Sequence, residues 1–286
     1  MKDAMAKAQI LMEALPFIKE HFGKTVVVKY GGNAMVKPEL KESVASDIVL
    51  MKYVGMNPVI IHGGGPEITD FMKKAGKEVR FVDGLRVTDA ETMDIVKMVL
   101  VGKINKEIVS LINRHGELAV GVSGDDGGLI HARKMKSDVD LGFVGEVDKI
   151  NPKIIYDLIV EDFVPVIASV GAGSEGQSFN INADLVAGEM AASLKADKII
   201  FLTDVAGIYE DFEDKDSLIS ELTLENCERI INDKRVASGM LPKVKGCVSA
   251  LEGGVTRAHI LDGRIKHALL LEVFTKEGVG TMIAKS

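Results

Sequence analysis

Residues 26–35 read VVVKYGGNAM, and the order of residue types in this stretch decides the fold class. Three β-branched residues in a row, Val26 to Val28, favour a strand. The lack of alternation with polar residues marks that strand as buried on both faces. Such strands belong to parallel sheets covered by helices on each side. The run then ends in Lys29, one aromatic and Gly31-Gly32. In open α/β sheets, ligands bind beyond the carboxyl ends of the strands, so a lysine and two glycines here point to a site.

The pattern recurs on either side. "PVIIHGGG" (58–65) is a second strand that ends in glycines, and "KIIFLTD" (198–204) is a third that runs into Thr203-Asp204-Val205-Ala206-Gly207. Strands are also expected in "LAVGVSG", "VPVIASVG", "RAHILD" and "GTMI", while "LIHARKM" and "FVGEVDKI" read as a hairpin excursion. Helical spacing covers 39–55, 66–75, 89–114, 152–161, 183–195, 223–231 and 242–252. This alternation predicts an α/β protein with a largely parallel central sheet. Residues 3–22 precede the first strand with an apolar stripe at Ile10, Leu11, Ala14, Leu15, Ile18 and Phe22. Pro16 removes a backbone donor there and is expected to kink or break the helix. The stripe either folds back on the core or forms an oligomer contact.

With 286 residues the chain can bury a large core in one domain or two lobes. A net charge of −7 argues against a nucleic-acid partner. The two cysteines, Cys227 and Cys247, have no metal-ligand spacing and fit a reducing cytoplasm, and the six histidines are scattered, so no zinc site is expected. The N-terminus lacks the uninterrupted apolar core of a signal peptide, and no run approaches the ~18 apolar residues of a membrane span. The expectation is a soluble, cytoplasmic protein.

Glycines let backbone N–H groups approach an anion closely, and a following helix N-terminus adds positive charge. Each glycine cluster alone is also compatible with a tight turn. Two of them together with a strand-end lysine suggest a groove for phosphate or a phosphorylated transition state. The G-x-x-x-x-G-K-[ST] signature of P-loop nucleotidases is absent. Gly171, Gly173 and Gly176 spell G-x-G-x-x-G, but Gln177-Ser178-Phe179-Asn180 follows instead of a helix, and Asp204 lies too far on for a nicotinamide site. Arg86 in "GLRVTD" suits a bidentate grip on a substrate carboxylate, against the alternative of a surface salt bridge. "NINAD" (180–184) opens a helix; capping explains one of its three polar residues more easily than all of them. Lys243 follows Pro242 in the first turn of a helix, where its charge opposes the helix dipole unless an anion is close.

With these residues in view, the sequence resembles the amino acid kinase family. The resemblance runs through "VVVKYGGNAM", "VIIHGGGPEI", "DGLRVTD", "NINADLVAGEMAASLKADKIIFLTDVAGI", "GMLPKVKG" and "HILDGRIKHALLLEVFTKEGVGTMI". It implies a three-layer αβα sandwich with an oligomerisation helix at 1–24, an amino-acid-substrate lobe at 25–178 and an ATP-binding lobe at 179–286 with a C-terminal effector segment. It implies the branch of the family that uses ATP and Mg²⁺ to phosphorylate the γ-carboxylate of N-acetyl-L-glutamate, on the route to ornithine and arginine. By the same resemblance Lys29 and Lys243 flank the transferring phosphoryl group and Asp184 organises them. Gly31, Gly32, Gly64 and Gly65 supply N–H groups, Arg86 holds the substrate α-carboxylate and Asn180 binds near the acetamido side. Thr203, Asp204 and Gly207 lie in the nucleotide loop, and no metal is held except through ATP. The N-terminal helix and the C-terminal segment resemble those of arginine-inhibited members, in which the helix interlaces dimers into a hexamer and L-arginine binds beside it. Glu272 and Gly278 are then effector residues, although Phe17 stands where such members often carry tyrosine. The chain ends soon after "GTMI", so a kinase without a fused acetyltransferase domain is expected. A kinase for a longer acyl amino acid, such as N-acetyl-aminoadipate or a carrier-linked substrate, is the closest rival; a non-catalytic arginine sensor is another. Retention of Lys29, Lys243 and Asp184 together argues against the sensor.

Overall fold

A computed structural model describes residues 1–35, 37–211, 213–214, 216–232, 239–275 and 278–285. The chain opens with helix α1 (Lys2–His21), then strand β1 (Thr25–Tyr30), a 3₁₀ turn (Gly32–Met35), α2 (Pro38–Tyr53), β2 (Asn57–His62) and α3 (Gly65–Lys74). A two-residue hairpin, β3 (Phe81–Val82) and β4 (Leu85–Arg86), leads into a long helical segment. That segment is α4 (Ala90–Lys97), a π-helical stretch (Met98–Ile104) and α5 (Asn105–Asn113). Next come β5 (Ala119–Ser123), β6 (Ile130–Lys134), β7 (Val144–Ile150), α6 (Lys153–Val160), β8 (Val164–Ala168), β9 (Val170–Ala172) and β10 (Ser178–Ile181). The remainder is α7 (Ala183–Leu194), β11 (Lys198–Thr203), β12 (Ile208–Tyr209), β13 (Leu218–Ile219), β14 (Glu221–Thr223), α8 (Leu224–Asn232), α9 (Leu241–Glu252), β15 (Arg257–Asp262), α10 (Ala268–Phe274) and β16 (Gly280–Ala284).

Eight strands form one sheet in the order β14-β16-β15-β11-β1-β2-β8-β5. Neighbours are parallel except β15 and β16. In β1, Val26 and Val28 face one apolar cluster with Ile48 of α2, Val96 of α4 and Ile112 of α5. Val27 faces the other, with Ala187 and Met190 of α7 and Leu251 of α9. All three valines are fully buried, each gaining about 1.5–3 kcal/mol from leaving water. Helices on both faces make the three-layer α/β architecture, which is why this strand shows no alternation. The chain moves from β1 to β2 on one side and returns to β11 on the other. The carboxyl ends of β1, β2 and β11 therefore meet at a switch point in strand order, where such sheets leave a crevice.

The G-x-G-x-x-G triplet lies across the antiparallel β9–β10 hairpin, without the helix a dinucleotide site needs. With β6 and β7 the hairpin closes a four-stranded barrel beside the main sheet. Helix α1 differs from expectation: it runs through Pro16 without breaking. The carbonyl that loses its partner is that of Met12, on an exposed residue. Much of the stripe does not fold back on the core: Ile10, Leu11 and Leu15 are 64%, 71% and 51% exposed, whereas Ala14 and Ile18 are half-buried and His21 in the last turn is buried.

Two distant helices are tied by polar groups. The Ser43 hydroxyl of α2 accepts from the His267 backbone N–H at 2.9 Å, and His267 Nδ1 lies 2.6 Å from Asp47 Oδ1. Burial pushes the Asp47 carboxyl up to about 6, against the lowering effect of the His267 bond. A carboxyl raised on folding stabilises the protein below its unfolded pKa of about 4, and that contribution is lost as pH rises through 6. Asp47→Asn should therefore flatten the pH dependence of stability between pH 4 and 6, removing a change of about 2–3 kcal/mol across that window. Parallel melts of the two proteins check this.

Candidate active site

Lys29 is the penultimate residue of β1 and 8% exposed. An ammonium in that position is costly unless paired. Its partner is Asp184, in the first turn of α7, with Lys29 Nζ 2.9 Å from Oδ1. Lys243 Nζ, from the first turn of α9, donates to Oδ2 of the same carboxylate at 3.2 Å and to the Gly239 carbonyl at 3.2 Å. Burial acts to raise the Asp184 carboxyl, but the charges of Lys29 and Lys243 outweigh it and hold the group below the usual carboxylate range. Two cations share one anion, so a net positive charge remains at the crevice. The anion that the position of Lys243 called for is thus Asp184.

Asn182, not Asn180, is the cap of α7: its Oδ1 accepts from the Asp184 and Leu185 N–H groups at 2.9 and 3.3 Å. That leaves Asn180 and Asp184 free of capping duty, as the crowding of polar residues in "NINAD" suggested. Asn180 Nδ2 donates to Thr88 Oγ1 at 3.3 Å, and Thr88 Oγ1 donates to the Arg86 carbonyl at 2.7 Å. Arg86 itself is buried, not a surface arginine. Its NH2 donates to the Gly65 carbonyl and Thr69 Oγ1 at 2.9 and 2.8 Å, and its guanidinium lies 4.7 Å from the centre of the Phe81 ring. Burial lowers its pKa from the ordinary value.

These groups surround a cavity of about 230 Å³. Lys29, Gly31, Gly32, Gly64, Gly65, Arg86, Asn180 and Asp184, all expected from the sequence, line it. Gly31 is covered by the Lys29 side chain, and a Cβ there would overlap Nζ. A Cβ on Gly65 would enter open space, so no packing within the chain demands glycine there. Helices α3 and α9 both begin without a side-chain cap, leaving their first N–H groups available to an anion. Thr203, Asp204 and Gly207 lie outside this cavity, at the end of β11 and beyond. The Asp204 backbone N is 3.7 Å from where a Gly32 Cβ would sit, so the two loops are adjacent. Gly207 packs on Thr281, where a Cβ would overlap Oγ1.

Sequence reasoning missed Thr69, Thr88 and Phe81, whose roles depend on neighbours distant along the chain. Glu272 and Gly278 sit elsewhere, in a second cavity of about 210 Å³ lined also by Phe17, Glu20, His21 and Lys198. There His259 Nδ1 is 2.6 Å from Glu272 Oε1, and the Val279 N–H donates to Oε2 at 2.9 Å.

Residues 24–262 match the amino acid kinase family. The chain belongs to the amino acid kinase family. It is 57% identical to an acetylglutamate kinase of Caldanaerobacter subterraneus subsp. tengcongensis over 283 residues, 99% of this chain and 95% of that protein. It is 56% identical to an acetylglutamate kinase of Moorella thermoacetica, over 98% of this chain and 97% of that one. Among solved structures, an N-acetylglutamate synthase from Neisseria gonorrhoeae, complexed with coenzyme A and N-acetyl-glutamate, superposes with a TM-score of 0.86 at 26% identity. It is matched over 98% of this chain, which spans 63% of the synthase's length. The same synthase complexed with coenzyme A and L-arginine gives a TM-score of 0.81 at 26% identity, over 98% of this chain and 65% of that one. Carbamate kinase from Giardia lamblia shares the fold, with a TM-score of 0.66 over 92% of this chain and 99% of that one, at 19% identity.

Proposed function

We propose that this family member transfers the γ-phosphoryl group of ATP to the γ-carboxylate of N-acetyl-L-glutamate, forming N-acetyl-L-glutamyl 5-phosphate on the route to ornithine and arginine. The observation that carries the reading is the Lys29–Asp184–Lys243 bridge beside a cavity that also holds a buried arginine. The relatives named acetylglutamate kinase at 56–57% identity support it.

A carboxylate nucleophile is already ionised at neutral pH, so the reaction needs no general base. Catalysis must come from in-line positioning and from stabilising charge on the transferring group. In this reading Lys29 and Lys243 flank that group from two sides of the crevice. Asp184 holds both lysines at fixed points and lowers their mutual repulsion. The N–H groups of Gly31, Gly32, Gly64 and Gly65 face the phosphoryl oxygens, Arg86 binds the α-carboxylate, and Asn180 lies near the acetamido group. Thr203, Asp204 and Gly207 form part of the nucleotide loop. Among the described residues no group of three His, Cys, Asp or Glu is arranged to hold a metal ion, and both Asp184 oxygens face lysines. Mg²⁺, held through the ATP phosphates, would neutralise part of their charge. Four adjacent strands of the sheet, β14, β16, β15 and β11, come from the proposed ATP lobe at 179–286, and the other four come from 25–178. The test is hydroxylamine trapping of acyl phosphate from ATP, Mg²⁺ and either N-acetyl-L-glutamate or N-acetyl-L-aminoadipate. Hydroxamate from the first acceptor supports the reading; hydroxamate from the longer one alone overturns it.

The second cavity favours an added reading, in which L-arginine inhibits the enzyme by binding there. Its walls join α1 to the Glu272–Gly278 segment, and a structural neighbour was solved with L-arginine. The exposed stripe of α1 favours an oligomer, a hexamer in this reading, with residues 1–24 as the joining element. Glu272→Ala should then raise the arginine concentration for half-inhibition by about tenfold or more, the loss of one charged hydrogen bond. Dose–response curves on both proteins check it.

A further inference from the structure

A buried polar pair lies beneath the second glycine loop, and phosphoryl transfer as described above does not use it. His62 ends β2 and is fully buried. Its Nδ1 lies 3.0 Å from the Gly63 carbonyl oxygen, and its Nε2 lies 3.2 Å from Asn105 Nδ2. Asn105 is fully buried as well, and its Nδ2 also lies 2.9 Å from the Val166 carbonyl of β8 and 3.3 Å from the Val122 carbonyl of β5. Carbonyl oxygens can only accept, so they fix the donor end of the amide on that side. The Gly63 carbonyl likewise can only accept, so Nδ1 carries the proton and donates to it, which leaves Nε2 of the neutral ring as the acceptor facing Asn105 Nδ2. Burial pushes His62 down to about 4, although the Gly63 bond acts to raise it, so the imidazole stays neutral and able to accept.

Asn105 follows directly on the π-helical stretch, whose wider turn offsets the residues after it from a regular helix. From that stretch Leu100 and Ile104 press against Gly64. A Cβ there would overlap Ile104 Cδ1 and lie 2.8 Å from Leu100 Cδ2. The long helix thus supports the loop twice, through apolar contact under Gly64 and through the Asn105–His62 pair under Gly63.

The Gly63 carbonyl and the Gly64 N–H belong to one planar trans peptide unit and point in opposite directions. We propose that His62 and Asn105 are positioning residues, which draw the Gly63 carbonyl into the core and so aim the Gly64 N–H into the cavity that Gly64 lines. The kinetic consequence rests on the kinase reading above. Preorganised donors matter because they need no reorientation as charge develops.

Two readouts test the proposal separately. Nitrogen NMR of the full chain labelled in histidine should show His62 neutral with the proton on Nδ1 between pH 6 and 8, whether or not any substrate turns over. An Nε2–H tautomer or an imidazolium overturns the proposal. In kinetics, His62→Asn places an amide donor near the site of Nδ1, and His62→Gln places one near Nε2 only. Gln should lower kcat on the order of 10- to 100-fold with KM for ATP and acceptor within about threefold, the signature of a misplaced transition-state donor. Asn should recover most of that loss at an equal Tm. Equal losses in both variants, or losses that track Tm, overturn the proposal. A wild-type chain that makes no acyl phosphate would count against the kinase reading, and the tautomer would still decide this one.

Discussion

Replacing Lys29 or Lys243 with alanine is expected to lower kcat on the order of 10²–10³-fold, the usual cost of removing one preorganised donor from a developing oxyanion. Folding should survive either change. Asp184 is the buried anion at risk, and in each variant the other lysine still pairs with it, at 2.9 or 3.2 Å. KM for the acyl amino acid should change little, because in the proposed reading the lysines act on the transferring group and not on the α-carboxylate. The check is steady-state kinetics together with melting curves. Wild-type turnover in both variants contradicts the roles assigned to them. The double variant should cost less than the product of the two single losses if, as proposed, both lysines serve one phosphoryl group.

The second large effect concerns a residue that touches no substrate. Helices α7 and α9 cross at a pair of glycines: a Cβ on Gly188 would lie 2.5 Å from the Gly246 carbonyl oxygen. A Cβ on Gly246 would lie 2.6 Å from the Asp184 carbonyl oxygen and 2.9 Å from Phe201. The Asp184 carbonyl is backbone and cannot swing away from a Gly246 Cβ, so α9 itself must retreat. Lys243 sits one turn earlier on that helix and would move with it. Gly246→Ala is therefore expected to destabilise by about 1–3 kcal/mol, a drop of several degrees in Tm. It should also lower kcat up to about 10²-fold, because a misplacement near 1 Å at the reacting group is enough for that. Activity measured well below Tm separates the two effects. A variant that melts early but turns over at the wild-type rate would show that α9 tolerates the shift without carrying Lys243 away from Asp184.

Much of this was legible in residue order. Val26 to Val28 announced a strand buried on both faces, and the strand-end glycines and lysine marked the crevice. "NINAD" carried more polar residues than one cap requires, and the structure divides them between Asn182 as the cap and Asp184 as the bridge. What stayed hidden depends on proximity across the chain or on segments too short to show a period. Helix α10 has seven residues, two turns with little room for a stripe. The β9–β10 hairpin is made of strands of three and four residues around glycines, so its part in a barrel left no alternating pattern. The π-helical stretch, MVLVGKI, lies inside a longer run of helical spacing, which does not register its wider turn. Pro16 does not break α1, a helix whose residues around Met12 are exposed. Gly188 and Gly246 look unremarkable in sequence, and their meaning lies in the contact between the two helices.

A single-turnover reaction with γ-labelled [³²P]ATP tests phosphoryl transfer to a carboxylate most directly. With the chain in excess and Mg²⁺ present, label is expected in an acid-labile, hydroxylamine-sensitive product that forms only when N-acetyl-L-glutamate is added. Label released solely as inorganic phosphate, at the same rate with and without the acceptor, would contradict it.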